Sequence, residues 1–144
     1  MRVLLVHTDI VEVKTKGEFD FVDITHHLQD IAKNSKVNNG TMNVFLPGAT
    51  GAIAINQHEE HLIKDYKVVL KEMVKDDLPY QHYGNARSHV RSLVLNPSVT
   101  VPIRNGKVDI GTWQSVMVVE LDSRPRNRKV SVTIVGSIKL QEEF

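Results

Sequence analysis

Apolar residues change their period along the chain, and each change marks an element. Residues 3–13 are rich in β-branched side chains, which predicts a strand. Phe19 and Phe21 alternate after Gly17, so a second short strand is expected to fold back on the first as a hairpin. Asp23 has the chemistry of an N-cap, and Ile24, Leu28, Ile31 and Ala32 follow at helical spacing until Asn38-Asn39-Gly40. Short strands are predicted over 41–46 and 52–55, joined through Pro47-Gly48-Ala49-Thr50-Gly51. The clearest helix covers about 57–75, where Leu62, Ile63, Tyr66, Val69, Leu70, Met73 and Val74 form one broad stripe and Asn56 with Glu59 resembles a capping box. A third helix is expected over 86–95, with Asn85 as its cap, Ala86, Val90, Leu93 and Val94 as its apolar face, and Asn96-Pro97 as its end. Beyond it, segments 99–103 and 107–110 flank Asn105-Gly106, a strong hairpin signal. Segments 113–121 and 129–138 are expected to pair across a basic turn. Strands bracketing two or three helices, mostly linked as hairpins, give an α+β fold with an antiparallel sheet or sandwich.

Composition narrows this picture. A chain of 144 residues without repeats reads as one domain. The absence of cysteine excludes a disulfide scaffold, a thiolate metal cluster and a cysteine nucleophile, and it suits a reducing cytoplasm. No apolar run has the ~20 residues of a membrane span, and the first residues read as a strand, not a signal peptide. A net charge of +1 argues against wholesale binding to nucleic acid or anionic membrane. That near-neutrality hides a division. Residues 1–83 carry nine Lys and Arg against twelve Asp and Glu, whereas residues 84–144 carry nine against five and hold six of the seven arginines.

Seven histidines make imidazole the leading base or soft ligand. His26 points away from its apolar stripe and reads as solvated. His61 and Asp65, four apart, could pair as ligand and supporting carboxylate, although an exposed pair is the commoner outcome. Glu59 lies by helical angle on the buried face, either as a cap or as a site acid. His82, in Tyr80-Gln81-His82-Tyr83-Gly84, and His89, beside the third helix's apolar stripe, are close enough in sequence for their rings to converge. Such a pair suits a general base or a metal ligand, but two histidines fall short of the three protein ligands of a catalytic zinc. The plain alternative is a hydrogen-bonded, half-buried histidine.

The second concentration is cationic. Arg124-Pro125-Arg126-Asn127-Arg128-Lys129 places three guanidinium forks at one turn, a phosphate clamp or else a solvated hairpin end. Arg87 and Arg91 add a second basic face near His89. No aromatic residue interleaves with the arginine turn, which disfavours nucleic acid. Asn85 and Gln114 offer uncharged donors and acceptors, and Trp113 reads as a core anchor that would send Gln114 to the opposite face.

Taken together, Asn85-Ala86-Arg87-Ser88-His89-Val90, Asn96-Pro97-Ser98, Val101-Pro102-Ile103, the run from Asn105 through Gly111-Thr112-Trp113-Gln114, and Arg124 to Arg128 resemble the YjbQ family from about residue 21 to 136. The resemblance implies one α+β sandwich domain over 1–144, assembled as a homotrimer, and a secondary thiamine-phosphate synthase activity. By matching position it implies His82 and His89 as catalytic or metal-binding residues, with room for one divalent ion. It implies Asn85, Thr112, Trp113, Gln114, Arg126 and Arg128 as contacts to a phosphorylated small molecule, in a cleft between subunits. The alternative it leaves is a non-catalytic trimer that binds a metal or a phosphometabolite. The chain departs from the family's strand motif, with Gly48 in place of a His and Gln57 in place of a Glu. Its Pro-Gly-x-Thr form resembles an archaeal-type branch, in which Glu59 or Glu60 would supply the acid. Asn96 stands where a Gly is usual, which a left-handed helix terminus tolerates.

Overall fold

In the computed structural model, which describes residues 1–140, the first β-branched run is a single long strand, β1 (Arg2–Lys14). Ten elements follow: β2 (Phe21–Asp23), α1 (Thr25–Ser35), β3 (Asn39–Phe45), β4 (Gly51–Asn56), α2 (Glu60–Met73), α3 (Ala86–Leu95), β5 (Ser98–Arg104), β6 (Lys107–Val108), β7 (Ser115–Glu120) and β8 (Asn127–Lys139). They form two antiparallel sheets, one in the order β1-β8-β3-β5-β6 and one in the order β2-β7-β4.

Alternation on the three-stranded sheet makes two cores. Ile53, Val116 and Val118 face the larger sheet and pack with Met42, Val44, Val132 and Ile134. Ala52, Met117, Val119 and Leu121 face the opposite way and pack with Phe21, Leu70 and Tyr66. β7 is therefore buried on both faces, which explains its unbroken Val-Met-Val-Val run. α1 closes the first core through Ile24, Leu28, Ile31 and Ala32. Gln29 also clamps β6, because its amide donates to the Val108 carbonyl at 2.9 Å and accepts from the Val108 N–H at 2.9 Å.

Several expected pairings are corrected. β1 does not form a hairpin with β2. It pairs along its whole length with β8, while β2 pairs with β7. Nor does β7 pair with β8, since the two lie in different sheets and the basic turn bridges them. Hydrophobic periodicity identifies strands but does not choose partners, and long-range register decided both cases. α1 ends at Ser35, where Lys36 takes the left-handed conformation at φ 61°, and Asn39 already begins a strand. Asp23 lies one residue before the α1 cap position, its carboxylate accepting from the Thr25 N–H and hydroxyl. α2 starts after Glu59, which is itself the cap; Asn56 is the last residue of β4.

The Asn105-Gly106 turn is as expected: φ of 52° and 77° are the left-handed values of a tight two-residue hairpin. Asn96 also has positive φ, at 79°. Gly40 and Gly136 lie opposite each other in the β3–β8 ladder, and a Cβ on Gly136 would sit 2.4 Å from Val37 Cγ1 and 2.5 Å from the Asn39 carbonyl oxygen. Gly136→Ala is therefore expected to lower unfolding stability by about 1–3 kcal/mol, because backbone has to move. Urea unfolding reads this directly, and a midpoint equal to that of the wild type would refute the close-approach account.

Candidate functional site

The basic turn leaves β7 and enters β8 beside the loop between β3 and β4 and the start of α3. Together they wall a cleft of about 650 Å3 lined by Gly48–Thr50, Tyr83–Asn85, Arg87, His89 and the turn from Asp122 to Arg128. Its deepest cation is Arg128, which is 4% exposed. Arg128 Nε donates to Glu120 Oε1 at 2.9 Å and Nη2 donates to Glu120 Oε2 at 2.5 Å. Nη2 also donates to the Thr50 carbonyl and hydroxyl oxygens, at 3.1 and 3.0 Å. Glu120 is fully buried and further receives the Thr15 hydroxyl at 2.7 Å and the Asp122 N–H at 3.1 Å. With two of its nitrogens so held, Arg128 turns Nη1 to the cleft wall near Gly48, whose φ is 110°. A Cβ there would come within 3.0 Å of Nη1.

Nearer the mouth, Arg126 Nη1 donates to Asp122 Oδ2 at 2.6 Å. Burial pushes the Asp122 carboxyl up. Hydrogen bonds from Arg126, the Ser123 N–H and Thr50 outweigh burial and hold it below the ordinary aspartate value. Arg124 is exposed at the rim and forms no ion pair among the described residues. The N-terminus of α3 borders the same space through Asn85 and Arg87, and its free N–H groups and dipole favour an anion.

The two histidines singled out from sequence do converge. The His82 and His89 rings meet edge to face with centroids 4.9 Å apart, and His82 Nε2 lies 3.2 Å from Asn85 Oδ1. Asn85 occupies the cap position of α3 but its side chain makes no capping bond; it faces His82 instead. Among the described residues no three His, Cys, Asp or Glu side chains come together as a metal site, so the residues present do not supply the ligand set of a catalytic zinc.

The second basic face near His89 is corrected. Arg91 is fully buried; it donates to Glu18 at 2.9 Å, to Asp76 at 2.8 Å and to the Val74 carbonyl at 2.8 Å, and it covers the Phe19 ring at 4.9 Å. Arg87 borders the cleft but is paired with Glu18, its Nε at 3.0 Å. Consequently α3 buries Ala86, Ser88, Arg91 and Ser92 and half-buries Val90, so its expected face holds at Ala86 and Val90 but not at Leu93, 81% exposed, and Val94, which turn outward. Two other readings change. His61 bonds Glu59 at 2.8 Å and not Asp65, and Trp113 is 73% exposed, not a core anchor.

Glu59, Thr112, Trp113 and Gln114 lie elsewhere in the chain. They flank Asn56 and Ser115, which pair with each other at the opposite end of β7 from Glu120, about 17 Å away at a strand rise of ~3.3 Å per residue. There Glu59 Oε2 accepts from the Leu62 N–H at 2.8 Å, and Gln114 Oε1 accepts from the Gly111 N–H at 2.7 Å. The Leu62 N–H and His61 hold the half-buried Glu59 carboxyl below the ordinary glutamate value. Residues not anticipated from sequence are Glu120, Asp122 and the Gly48–Thr50 wall. One signal was present: a glutamate inside the apolar run of β7 must be buried, and a buried carboxylate needs a partner.

Fold and cleft define a class: a two-sheet α+β sandwich with an arginine- and histidine-lined cleft where the sheets join. A family model described as UPF0047 protein YjbQ-like matches residues 9–137. The chain is 39% identical over 134 residues to a UPF0047 protein of Methanothermobacter thermautotrophicus, covering 91% of this chain and 93% of that one. It is 32% identical over 127 residues to a UPF0047 protein of Methanocaldococcus jannaschii, covering 87% and 91%. A YbjQ-like protein of unknown function from Sulfolobus solfataricus superposes with a TM-score of 0.89 at 33% identity, over 93% of this chain and 99% of that one. The chain belongs to the YjbQ-like UPF0047 family. No helix among the described residues is long and apolar enough to cross a membrane.

The depressed Asp122 carboxyl gives a pH prediction. A carboxyl whose folded pKa lies below its unfolded value contributes stability above the unfolded value, about 3.9, and loses it as pH falls through the folded one. Asp122→Asn should therefore lose less stability than the wild type on acidification below about pH 5. Urea midpoints measured down that range test it, and parallel pH profiles for the two proteins would rule the contribution out.

Proposed function

We propose that the cleft binds the phosphate or diphosphate group of a small organic molecule and that the protein is a transferase of the thiamine-phosphate-synthase-like kind. The observation that supports this reading best is the placement of Arg128 Nη1, Arg126 and the α3 N-terminus in one cleft with His89, against whose ring His82 packs. In such a reaction the ring nitrogen of a thiazole phosphate forms a carbon–nitrogen bond to the methylene carbon of a pyrimidine diphosphate, and pyrophosphate departs with the electrons of the broken carbon–oxygen bond. The charge developing on that leaving group is what guanidinium forks stabilise. In this reading Arg126 and Arg128 hold the phosphate oxygens, Asn85 fixes the orientation of His82, and His82 or His89, as an imidazolium, gives its proton to the departing pyrophosphate oxygen. No step is assigned to a metal. The assembly proposed is a homotrimer in the cytoplasm. Glu59, Thr112, Trp113 and Gln114, which lie at the far end of β7, would then contribute from a neighbouring copy. One observation favours a second reading, a trimer that holds a phosphometabolite without converting it: the acid candidate Glu59 is engaged as a helix cap.

Calorimetric titration with inorganic pyrophosphate separates these readings from a purely structural role for the arginines. Arg126→Ala is expected to weaken binding about 10–100-fold, the worth of a hydrogen bond to a charged group. His89→Ala is expected to retain binding and to abolish thiamine-phosphate formation. Absence of pyrophosphate binding by the wild type would overturn the reading. Equal product formation by His89→Ala would remove His89 from the chemistry.

A further inference from the structure

Among the described residues β1 is an edge strand of 13 residues, bonded to β8 along one side and to no strand along the other. The bond from the Leu140 N–H to the Met1 carbonyl and that from the Thr15 N–H to the Arg126 carbonyl show that odd-numbered residues face β8. The even-numbered ones, Arg2 to Lys14, therefore turn their N–H and C=O groups outward. The Ile10 N–H, one of these, is taken by its neighbour Asp9 Oδ1 at 2.8 Å. Even-numbered side chains also share the sheet face turned away from the Val11 and Val13 core, and there Leu4, Val6 and Ile10 are 74%, 63% and 60% exposed. A long edge carrying three large apolar side chains is a template for another strand.

We infer that this strand pairs, antiparallel, with β1 of a second copy, about a two-fold axis through His7. The face reads Arg2, Leu4, Val6, Thr8, Ile10, Glu12. With His7 at the axis, Arg2 lies opposite the partner's Glu12, Leu4 opposite the partner's Ile10 and Val6 opposite the partner's Thr8, and each pair recurs on the other side. Moving the axis to Val6 sets Arg2 against an apolar side chain and leaves Glu12 unmatched. Moving it to Thr8 sets Arg2 against Lys14. Opposite charges stabilise a cross-strand pair and like charges oppose it, so only the His7 register satisfies both charge and apolar pairing. All three registers join even to even residues, so the open N–H and C=O groups meet. At the chosen one the Ile10 N–H exchanges Asp9 for the partner's Leu4 carbonyl. The interface is isologous, and most of it is not carried by the family match, which begins at residue 9.

Native mass spectrometry and light scattering of the full chain test the pairing and its register. The wild type is expected to contain an even number of chains: six if the proposed trimer holds, two if it does not. Arg2→Glu alone and Glu12→Arg alone should each halve that mass, because each sets like charges opposite. An equal mixture of the two variants should restore it, since every reversed charge then meets its opposite. Val6→Pro, which removes an outward N–H and leaves the β8 ladder intact, should halve the mass too, with circular dichroism confirming the fold. If that variant does not fold, the charge reversals decide. An odd number of chains in the wild type, or reversals that leave the mass unchanged, would overturn the pairing. Three chains would do so without touching the trimer. A mixture that fails to restore the mass would overturn the register.

Discussion

Glu120 and Arg128 form a fully buried ion pair between β7 and β8, and through it the two sheets are tied where they converge. Removing either charge from water is costly, and the cost is offset only when every remaining lone pair and N–H is satisfied. Here Thr15, the Asp122 N–H and both oxygens of Thr50 complete the partners of Glu120 and of Arg128 Nε and Nη2, while Nη1 lies at the cleft wall. The network thereby reaches from the end of β1 through both sheets to the loop between β3 and β4. It also orients the cleft. Because two of the Arg128 nitrogens are committed, its third is presented at the wall in one place, with Gly48 close beside it.

A second buried arginine governs the other wall. Arg91 is held by Glu18, Asp76 and the Val74 carbonyl and lies over Phe19, which itself sits at a left-handed φ of 64°. Anchoring that guanidinium fixes the rotation of α3 about its axis. The rotation brings Arg87 and His89 to the cleft and His82 against His89. It also leaves Leu93 and Val94 in solvent, alongside Val68, Val69 and Met73 of α2. The apolar exposure of α3 is the consequence of burying its arginine.

Much of the fold was legible from local pattern. α3 begins and ends where its spacing placed it, and the Asn105-Gly106 hairpin has the geometry its two residues demand. The apolar spacing of α1 gave its buried face. Long-range strand partners were not legible, because β1 reaches β8 across most of the chain and no short-range signal encodes that closure. In the candidate site, His82, His89 and Asn85 were legible because they sit close in sequence on one loop and one helix. Thr112, Trp113, Gln114 and Glu59 were grouped with them, and the length of β7 separates the two sets within one chain.

The sequence by itself determined the kinds of element, most of their bounds, the family, and the crowding of arginines into the second half of the chain. These depend on residue type and short spacing, which chain order carries directly. Which strands meet, which way α3 faces, and which arginines are structural or open to the cleft were decided only by tertiary structure. Arg87, Arg91, Arg126 and Arg128 are chemically alike in the sequence. Each pairs with a carboxylate within about 3 Å, and what distinguishes them is how much of the guanidinium stays open beside it, from 0% exposed at Arg91 and 4% at Arg128 to 24% at Arg87 and 36% at Arg126, which only the packed chain sets.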